Sequence, residues 1–166
     1  TALALLRLYH RPLPDVLKEH VMDPIGASAT WQWHGYGTSW VEERGQRMQS
    51  VSGGAHWGGG LWISTLDHAR FGQLYLAGGN WNGAQLLSPH WIRESLTPCS
   101  IKPEYGFLWW LNHASSISAL GSAQAFAARG AGGNIVFVDP ALDIVIVLRW
   151  CADTKKIIDE LLGTLD

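Results

Sequence analysis

The sequence has few cysteines, and their positions exclude the usual zinc-binding patterns. Cys99 and Cys151 are the only two among 166 residues, and they form neither a C-x-x-C pair nor a zinc-finger spacing. The seven histidines are scattered and no H-E-x-x-H motif occurs. We therefore expect no metal site and no cofactor. For the cysteines we expect two buried free thiols, with a single disulfide between them as the alternative.

Charge and long apolar runs are also scarce. Twelve Lys and Arg residues against fourteen Asp and Glu residues give a formal charge of −2, without a basic stripe. A protein that tracks phosphates needs such a stripe, so we expect no nucleic-acid partner. The longest early apolar run, Ala2 to Leu6, is too short to cross a bilayer, so we expect no membrane span. A signal peptide would lie before Thr1, so export cannot be judged.

What the sequence does contain is enough apolar material for a substantial core. Hydrophobic residues make up 47% of the chain and charged residues 16%, which is typical of a globular protein. Residues 1–166 are predicted to form a single unit of the α+β class. Within it, residues 1–98 are predicted to be mainly helical, and residues 99–166 to form an antiparallel sheet followed by a C-terminal helix packed on that sheet.

Helical periodicity and capping residues mark the first part of the chain. Ser64 or Thr65 is expected to cap one helix that ends at Gly78-Gly79, and Ser88 to cap another that opens at Pro89. The predicted helices are Thr1–Tyr9, Leu13–Met22, Leu66–Ala77 and Pro89–Leu96.

Strand signals dominate after Pro103, where aromatic and β-branched residues cluster between turns. Asp139 to Asp143 is predicted to be a tight connection between the last two strands. A closing helix is predicted over Ala152–Leu165, with its apolar stripe on the sheet. The predicted strands are Tyr105–Leu111, Gln124–Ala128, Asn134–Val138 and Ile144–Trp150.

Two glycine clusters lie at Gly53-Gly54 and Gly58 to Gly60. No Lys follows either of them in the spacing of a phosphate-binding loop, so sharp turns or close backbone approach explain them better. His56 and Trp57 lie between the clusters and are candidates to line a substrate cleft. Ordinary packing is the alternative for this pair.

Ten tryptophans support a hypothesis of a different class. Because indoles stack on sugars and other flat ligands, a surface row of Trp31, Trp33, Trp40 and Trp57 could belong to a non-catalytic ligand- or carbohydrate-binding domain. The alternative is an aromatic core and cleft wall. That alternative is favoured because four others, Trp62, Trp91, Trp109 and Trp110, fall at positions predicted to face inward.

Several segments together resemble the C-terminal portion of the serine β-lactamase and penicillin-binding protein family. They cover nearly the whole chain: Val21–Ser28, Gly58–Gly72, Leu87–Ile92, Tyr105–Trp110 and Val136–Val147. The resemblance implies the C-terminal part of a β-lactamase/transpeptidase-like fold. It also implies a serine hydrolase that cleaves an amide or ester through an acyl-serine intermediate.

The motifs that carry catalysis in that family are missing from these residues. No S-x-x-K, Y-x-N or S-x-N sequence occurs, so the nucleophile and its proton-transfer partners are absent. The third motif, K-[TS]-G, has a counterpart in Arg129 to Asn134. The resemblance implies that Arg129 binds a substrate carboxylate and that Gly130, Ala131 and Gly132 supply a backbone amide nearby. A solvated surface charge is the alternative for Arg129.

The sequence thus predicts a fragment of a bacterial β-lactamase-like hydrolase whose N-terminal catalytic segment is absent and which is inactive without it. Its substrate would be a small amide or ester: a β-lactam, a peptide or a simple ester. We expect it to bind its missing half or to self-associate through an open sheet edge. By resemblance the location would be periplasmic or secreted, and a cytoplasmic location stays open.

Overall fold

The computed structural model describes residues 1–51 and 60–165, which divide into two compact units, Thr1–Asp67 and His68–Asp166. The boundary between the units falls inside a helix, α3 (Thr65–Leu76). The prediction that residues 1–166 form one unit, with a change of character near residue 98, stays a prediction.

The first unit begins with two helices, as predicted. Helix α1 (Ala2–Tyr9) is followed by α2 (Leu13–Leu17), which runs into a π-helical turn at Lys18–Met22. Pro14 lies in the first turn of α2, where a missing N–H costs no hydrogen bond. Among the residues of this unit that the structure describes, few are both apolar and buried: Leu6, Met22, Ile25, Met48 and Val51.

Short strands complete the first unit, and the sequence did not predict them. Strand β1 (Gln32–Trp33) pairs with β4 (Leu61–Trp62), and β2 (Trp40–Glu43) pairs with β3 (Gln46–Gln49), both antiparallel. Two to four residues are too few to display an alternating pattern. Arg44 and Gly45 both have positive φ at the turn between β2 and β3, as a two-residue hairpin requires.

A buried carboxylate holds the first unit together near the start of α3. Asp67 has 0% exposure and accepts hydrogen bonds from the Ser28 N–H at 3.0 Å, the Ser28 hydroxyl at 2.6 Å and the Ser64 hydroxyl at 2.9 Å. Ser64 Oγ in turn accepts the Asp67 N–H, which confirms Ser64 as the helix cap. Asp67 thereby ties the segment around Ser28 to the N-terminus of α3.

The second unit is built on a four-stranded antiparallel sheet. Its order is β10-β9-β8-β7, with β7 at Trp110–Leu111, β8 at Phe126–Gly130, β9 at Asn134–Asp139 and β10 at Ile144–Leu148. The predicted strands at the β8, β9 and β10 positions are confirmed within two residues at each end. A second, two-stranded hairpin joins β5 (Asn80–Trp81) to β6 (Ala84–Gln85).

Helices cover both faces of the sheet. One face holds Phe137 and Ile146 against Ile158 and Leu162 of α5 (Thr154–Leu162), which Asp153 caps. The other face packs against α3 and α4 (Pro89–Ser95), where the Trp109 ring contacts Tyr75 in a tilted arrangement and Phe126 edge to face. Ser88 caps α4 by accepting the Trp91 N–H, as predicted.

Helix α5 is shorter and its apolar stripe narrower than the sequence predicts. The predicted helix over Ala152–Leu165 is reduced to the nine residues Thr154–Leu162. Only Ile158 and Leu162 of the predicted stripe are buried, since one turn separates them and both point at the sheet. The remaining stripe residues, Ile157, Leu161 and Leu165, are exposed.

The predicted strand over Tyr105–Leu111 is wrong as a continuous element. The segment folds back on itself, so that Tyr105 bridges to Trp110 and the Gly106 N–H bonds to the Trp109 carbonyl at 2.8 Å. Leu108 takes a φ of 64° at the bend. Gly106 is required there because a β-carbon would collide with the Ser95 carbonyl oxygen.

A buried amide organises the loop between β7 and β8. Asn112, 3% exposed, accepts the N–H groups of Ile117 and Ser118 and donates to the carbonyls of Ser118, Gly121 and Ser122. The loop's backbone groups are therefore satisfied internally, since no strand partner is available to them.

Two carboxylates anchor this loop to the elements around it. Asp139, at the end of β9, accepts the Ser122 N–H and hydroxyl. Asp159 on α5 accepts the Ser118 hydroxyl and the backbone N–H groups of Ala119 and Leu120. Burial alone would raise the pKa of Asp159, but these hydrogen bonds, with the nearby Lys155, lower it.

Both cysteine thiols are free. Cys151 is half-buried, whereas Cys99 is exposed, so the prediction of burial is wrong for Cys99. It lies in the loop between Pro98 and Pro103, where Ser100 and Ile101 are exposed as well.

Candidate functional site

The candidate site lies at the turn between β8 and β9. Arg129 pairs with Ile135 and Gly130 with Asn134, so Arg129 stands one residue before the end of β8. Gly132 and Gly133 follow with φ angles of 78° and 69°, a left-handed conformation that L side chains rarely adopt. The turn is therefore built on Gly132 and Gly133, which belong to the segment that resembles the K-[TS]-G motif.

These two glycines also allow a close approach to the chain that follows β10. A β-carbon at Gly132 would lie 2.7 Å from the Trp150 ring, and one at Gly133 would collide with the Cys151 carbonyl oxygen. The Cys151 N–H bonds to the Gly133 carbonyl at 3.2 Å, and the Asn134 amide donates to the Ala131 carbonyl at 2.7 Å. The turn is thus fixed from two sides.

An open cavity of about 520 Å³ lies beside this turn. Its walls come from the end of β8, the start of β9, the segment after β10 and the first residue of α5. Of the predicted site residues, Arg129, Gly130 and Gly132 line it, whereas Ala131 does not. The lining residues are Arg129, Gly130, Gly132, Gly133, Asn134, Ile135, Trp150, Cys151, Ala152 and Thr154.

The Arg129 side chain is exposed and lies over the ring of Trp110, with 5.6 Å from Cζ to the ring centroid. The Lys102 ammonium lies 4.5 Å from the same centroid. Such contacts stabilise by about 0.5–1 kcal/mol at exposed sites and restrict the arginine's rotamers. Within the described ranges, no carboxylate forms an ion pair with Arg129.

Sequence reasoning missed Trp110 and Lys102 as neighbours of Arg129. They lie 19 and 27 positions earlier in the chain, and no local periodicity connects them. Trp110 is brought near Arg129 by the strand pairing. It lies opposite Ala127 in the sheet, and Arg129 is two residues further along β8, so the side chains of Trp110, Ala127 and Arg129 lie on the same face.

His68 is a second titratable group that the sequence did not single out. Burial and, to a lesser extent, the positive charge of Arg149 together lower its pKa from 6.5 to about 4. Its Nδ1 is buried and has no hydrogen-bond partner among the residues that the structure describes. The imidazole is therefore neutral near pH 7.

His56 and Trp57, the other predicted cleft residues, lie outside the described residues. Trp109 is buried and Trp110 half-buried, as the core interpretation predicts. The same interpretation is wrong for Trp62 and Trp91, which are 69% and 45% exposed. Trp62 ends a two-residue strand, and Trp91 lies in a helix of two turns, so each element is too short for its inward face to be predicted from periodicity.

Among residues 1–51 and 60–165, no group of three His, Cys, Asp or Glu side chains is arranged to hold a metal ion. No helix in these ranges is both long enough and apolar enough to cross a membrane.

Comparison with known proteins finds relatives that are longer than this chain. Protein Rv1367c of Mycobacterium tuberculosis (strain ATCC 25618 / H37Rv) is 24% identical over an alignment that covers 89% of this chain and 46% of the relative. Uncharacterized protein MT1414 of strain CDC 1551 / Oshkosh matches to the same extent. The chain thus spans about half the length of the curated relatives that it matches. No family model matches it.

Solved structures resemble the chain over most of its length. A "putative beta-lactamase" from Bacteroides dorei DSM 17855 superposes with a TM-score of 0.58 and 13% identity, over 95% of this chain and 52% of that one. A penicillin-binding protein homologue from Caulobacter crescentus gives 0.56 and 19%, over 84% and 47%. The resemblance that the sequence motifs indicate is confirmed at the level of the fold: the chain has the α+β fold of β-lactamases and penicillin-binding proteins, over about half of their length.

Proposed function

We propose that these residues form the C-terminal portion of a β-lactamase-like serine hydrolase that cleaves a small amide or ester through an acyl-serine intermediate. The observation that carries the proposal is the β8–β9 turn, a glycine-built hairpin with an arginine at its strand end, within a fold shared with β-lactamases. Since no S-x-x-K, Y-x-N or S-x-N motif occurs, the nucleophile would come from outside these 166 residues.

The proposed role of Arg129 is to bind the carboxylate of the substrate. Its guanidinium is exposed, has no ion-pair partner within the described ranges and is held over Trp110. A guanidinium grips a carboxylate through two parallel hydrogen bonds, and a side chain already restricted in its rotamers loses less entropy on binding. The backbone amides of the glycine turn lie next to it and are candidates to polarise a substrate carbonyl.

A labelling experiment tests the acyl-serine proposal. The purified 166-residue chain and the product of the complete reading frame are each incubated with a fluorescent penicillin and a fluorophosphonate, and bound label is located by mass spectrometry. We expect label only on the product of the complete frame, at a serine outside these residues. Stoichiometric labelling of a serine within residues 1–166 would overturn the proposal, as would the absence of label on both proteins.

A substitution tests the role of Arg129 in the complete enzyme. Arg129→Ala should weaken kcat/KM for a carboxylate-bearing substrate by roughly 2 kcal/mol and leave a neutral ester unaffected. Arg93 is also exposed but lies on α4, so Arg93→Ala serves as the matched control and should leave kcat/KM unchanged for both substrates. Equal losses on both substrates would assign Arg129 to the fold instead of the substrate.

The outer edge of β10 is a candidate surface for assembly. No strand within the described ranges pairs with the outer edge of β10, whose residues Ile144–Leu148 are all apolar. We propose that this edge binds the nucleophile-bearing part of the enzyme, or a second copy when that part is absent. A stable monomer of the 166-residue chain at high concentration, by light scattering, would contradict this.

A further inference from the structure

A separate cavity lies in the first unit, far along the sequence from the β8–β9 turn. It encloses about 360 Å³. One wall comes from α2 and the π-helical turn, through Pro14, Asp15, Lys18 and Asp23. The other wall is the segment from Ala27 to His34 that leads into β1. All of the lining residues belong to the unit Thr1–Asp67.

Two indoles form the apolar part of this cavity. Trp31 and Trp33 both line it and both are half-buried. Trp33 ends β1 and Trp31 immediately precedes that strand, and side chains two positions apart along a strand lie on the same side, about 7 Å from each other. That spacing presents two flat apolar surfaces at the distance occupied by one or two linked six-membered rings.

The wall that carries the indoles is fixed before any ligand arrives. Ser28 is held by its N–H and its hydroxyl to the buried carboxylate of Asp67. At the other end, Trp33 pairs with Leu61 in the β1–β4 ladder, and the His34 N–H bonds to the Gly60 carbonyl at 2.9 Å. Because this segment is already ordered, ligand binding costs little of its conformational entropy.

Charged groups lie on the opposite wall, and they restrict the chemistry of an occupant. Lys18 forms an ion pair with Asp23 at 2.5 Å, and Asp15 stands exposed in the first turn of α2. An alkyl chain would desolvate these groups without offering hydrogen bonds. A carboxylate ligand would be repelled by the two aspartates, and a cationic ligand would have to compete with the Lys18 ammonium for Asp23. A neutral ring with a hydroxylated rim satisfies both walls.

We propose that this cavity binds a neutral sugar ring, whose C–H face stacks on Trp31 and Trp33 while its hydroxyls bond to Asp15 and the Lys18–Asp23 pair. The proposal does not depend on the hydrolase assignment, because the site is built from the first unit alone. It assigns the two indoles a binding role that the acyl-serine chemistry does not include.

Isothermal titration calorimetry of the 166-residue chain with cellohexaose and with chitohexaose tests the site, without any need for catalysis. We expect saturable binding of at least one oligosaccharide with a Kd of about 1 mM or tighter. Trp31→Ala and Trp33→Ala should each weaken the binding by about tenfold or more, which corresponds to the loss of one stacking contact. Asp15→Asn should weaken it several-fold.

The matched control is Trp40→Ala. Trp40 belongs to the same unit and is 45% exposed, but it stacks with Arg47 on the β2–β3 hairpin and does not line the cavity. It should leave the affinity unchanged. Circular dichroism identifies variants that fail to fold. If the tryptophan variants do not fold, the affinity of Asp15→Asn tests the proposal, because Asp15 is exposed and its substitution should not disturb the fold. No binding of either oligosaccharide up to about 10 mM, or equal losses in Trp40→Ala and the cavity variants, would overturn the proposal.

Discussion

The two units of the chain are held together by different means. In His68–Asp166, Phe126, Val136 and Phe137 have at most 2% exposure and lie in a continuous sheet with helices on both faces. In Thr1–Asp67, the strands have two to four residues each, and the fully buried Asp67 sits where an apolar core residue would be expected. The second unit therefore has the more extensive apolar core, whereas a buried carboxylate is central to the first.

The two units therefore support different kinds of candidate site, a rigid turn in the second and a half-buried cavity in the first. A close-packed apolar core is rigid. It therefore holds the β8–β9 hairpin, which extends from the sheet, in a defined position. A polar anchor fixes one short segment, and Trp31 and Trp33, which follow it in the chain, are half-buried.

Removing a central side chain of the sheet should cost the most. Phe137 has 0% exposure and packs on the α5 face, so Phe137→Ala should lower the free energy of unfolding by about 3–5 kcal/mol through lost burial and the cavity it leaves. Ile101→Ala, at a residue 91% exposed, is the control and should stay within about 0.5 kcal/mol of the parent. Urea unfolding measures both. A cost near 1 kcal/mol for Phe137→Ala would show that the sheet is loosely packed.

Removing the polar anchor should cost less but should localise to the first unit. Asp67→Ala leaves the Ser28 N–H and two hydroxyls without their acceptor, at about 2–4 kcal/mol. Asp23→Asn, which weakens only an exposed ion pair, should cost about 1 kcal/mol or less. Hydrogen exchange should rise in residues 28–34 and not in β9. Uniform loss of protection in both units would contradict the separate roles assigned to them.

Acidification should weaken the second unit through His68. Its folded pKa of about 4 lies below the unfolded value of 6.5, so above pH 6.5 both states are neutral and the residue adds no pH dependence. Between pH 6.5 and 4 only the unfolded chain takes up the proton, so the free energy of unfolding falls as the pH falls, by on the order of 2 kcal/mol. Below pH 4 this contribution stops changing.

Denaturant titrations at pH 7, 5.5 and 4.5 check this sign. His68→Gln should flatten the dependence over that window, whereas His90→Gln, at an exposed histidine of α4, should leave it as in the parent. If the parent gains stability between pH 6.5 and 4.5, or if both variants behave alike, His68 is not the group responsible.

The sequence predicted what depends on local patterns. Ser64 and Ser88 were recognised as caps because the residue type and the following helix are adjacent in the chain, and β9 and β10 were recognised from their β-branched residues. The likeness of the Arg129 segment to a third catalytic motif placed it at a strand end, which the structure confirms. Its binding role stays a proposal.

What the sequence could not predict depends on partners distant in the chain. The residues near Asp67 in the sequence do not indicate that its carboxylate will bond to Ser28, which lies 39 positions earlier in the chain. The contact of Arg129 with Trp110 follows from strand register, which a single sequence does not specify. The exposure of Trp62 was misjudged for a similar reason, since a two-residue strand has no periodicity to indicate its inward face.

The double attachment of the β8–β9 turn has a consequence for motion. With Gly133 bonded to the Cys151 backbone and Gly132 against the Trp150 ring, the turn cannot swing as a lid independently of the segment between β10 and α5. Its amides should exchange with solvent in step with that of Cys151, as one cooperative group on a slow timescale. A change at Trp150 would then be felt at Arg129, because the segment after β10 and the β8–β9 turn lie side by side at the same end of the sheet.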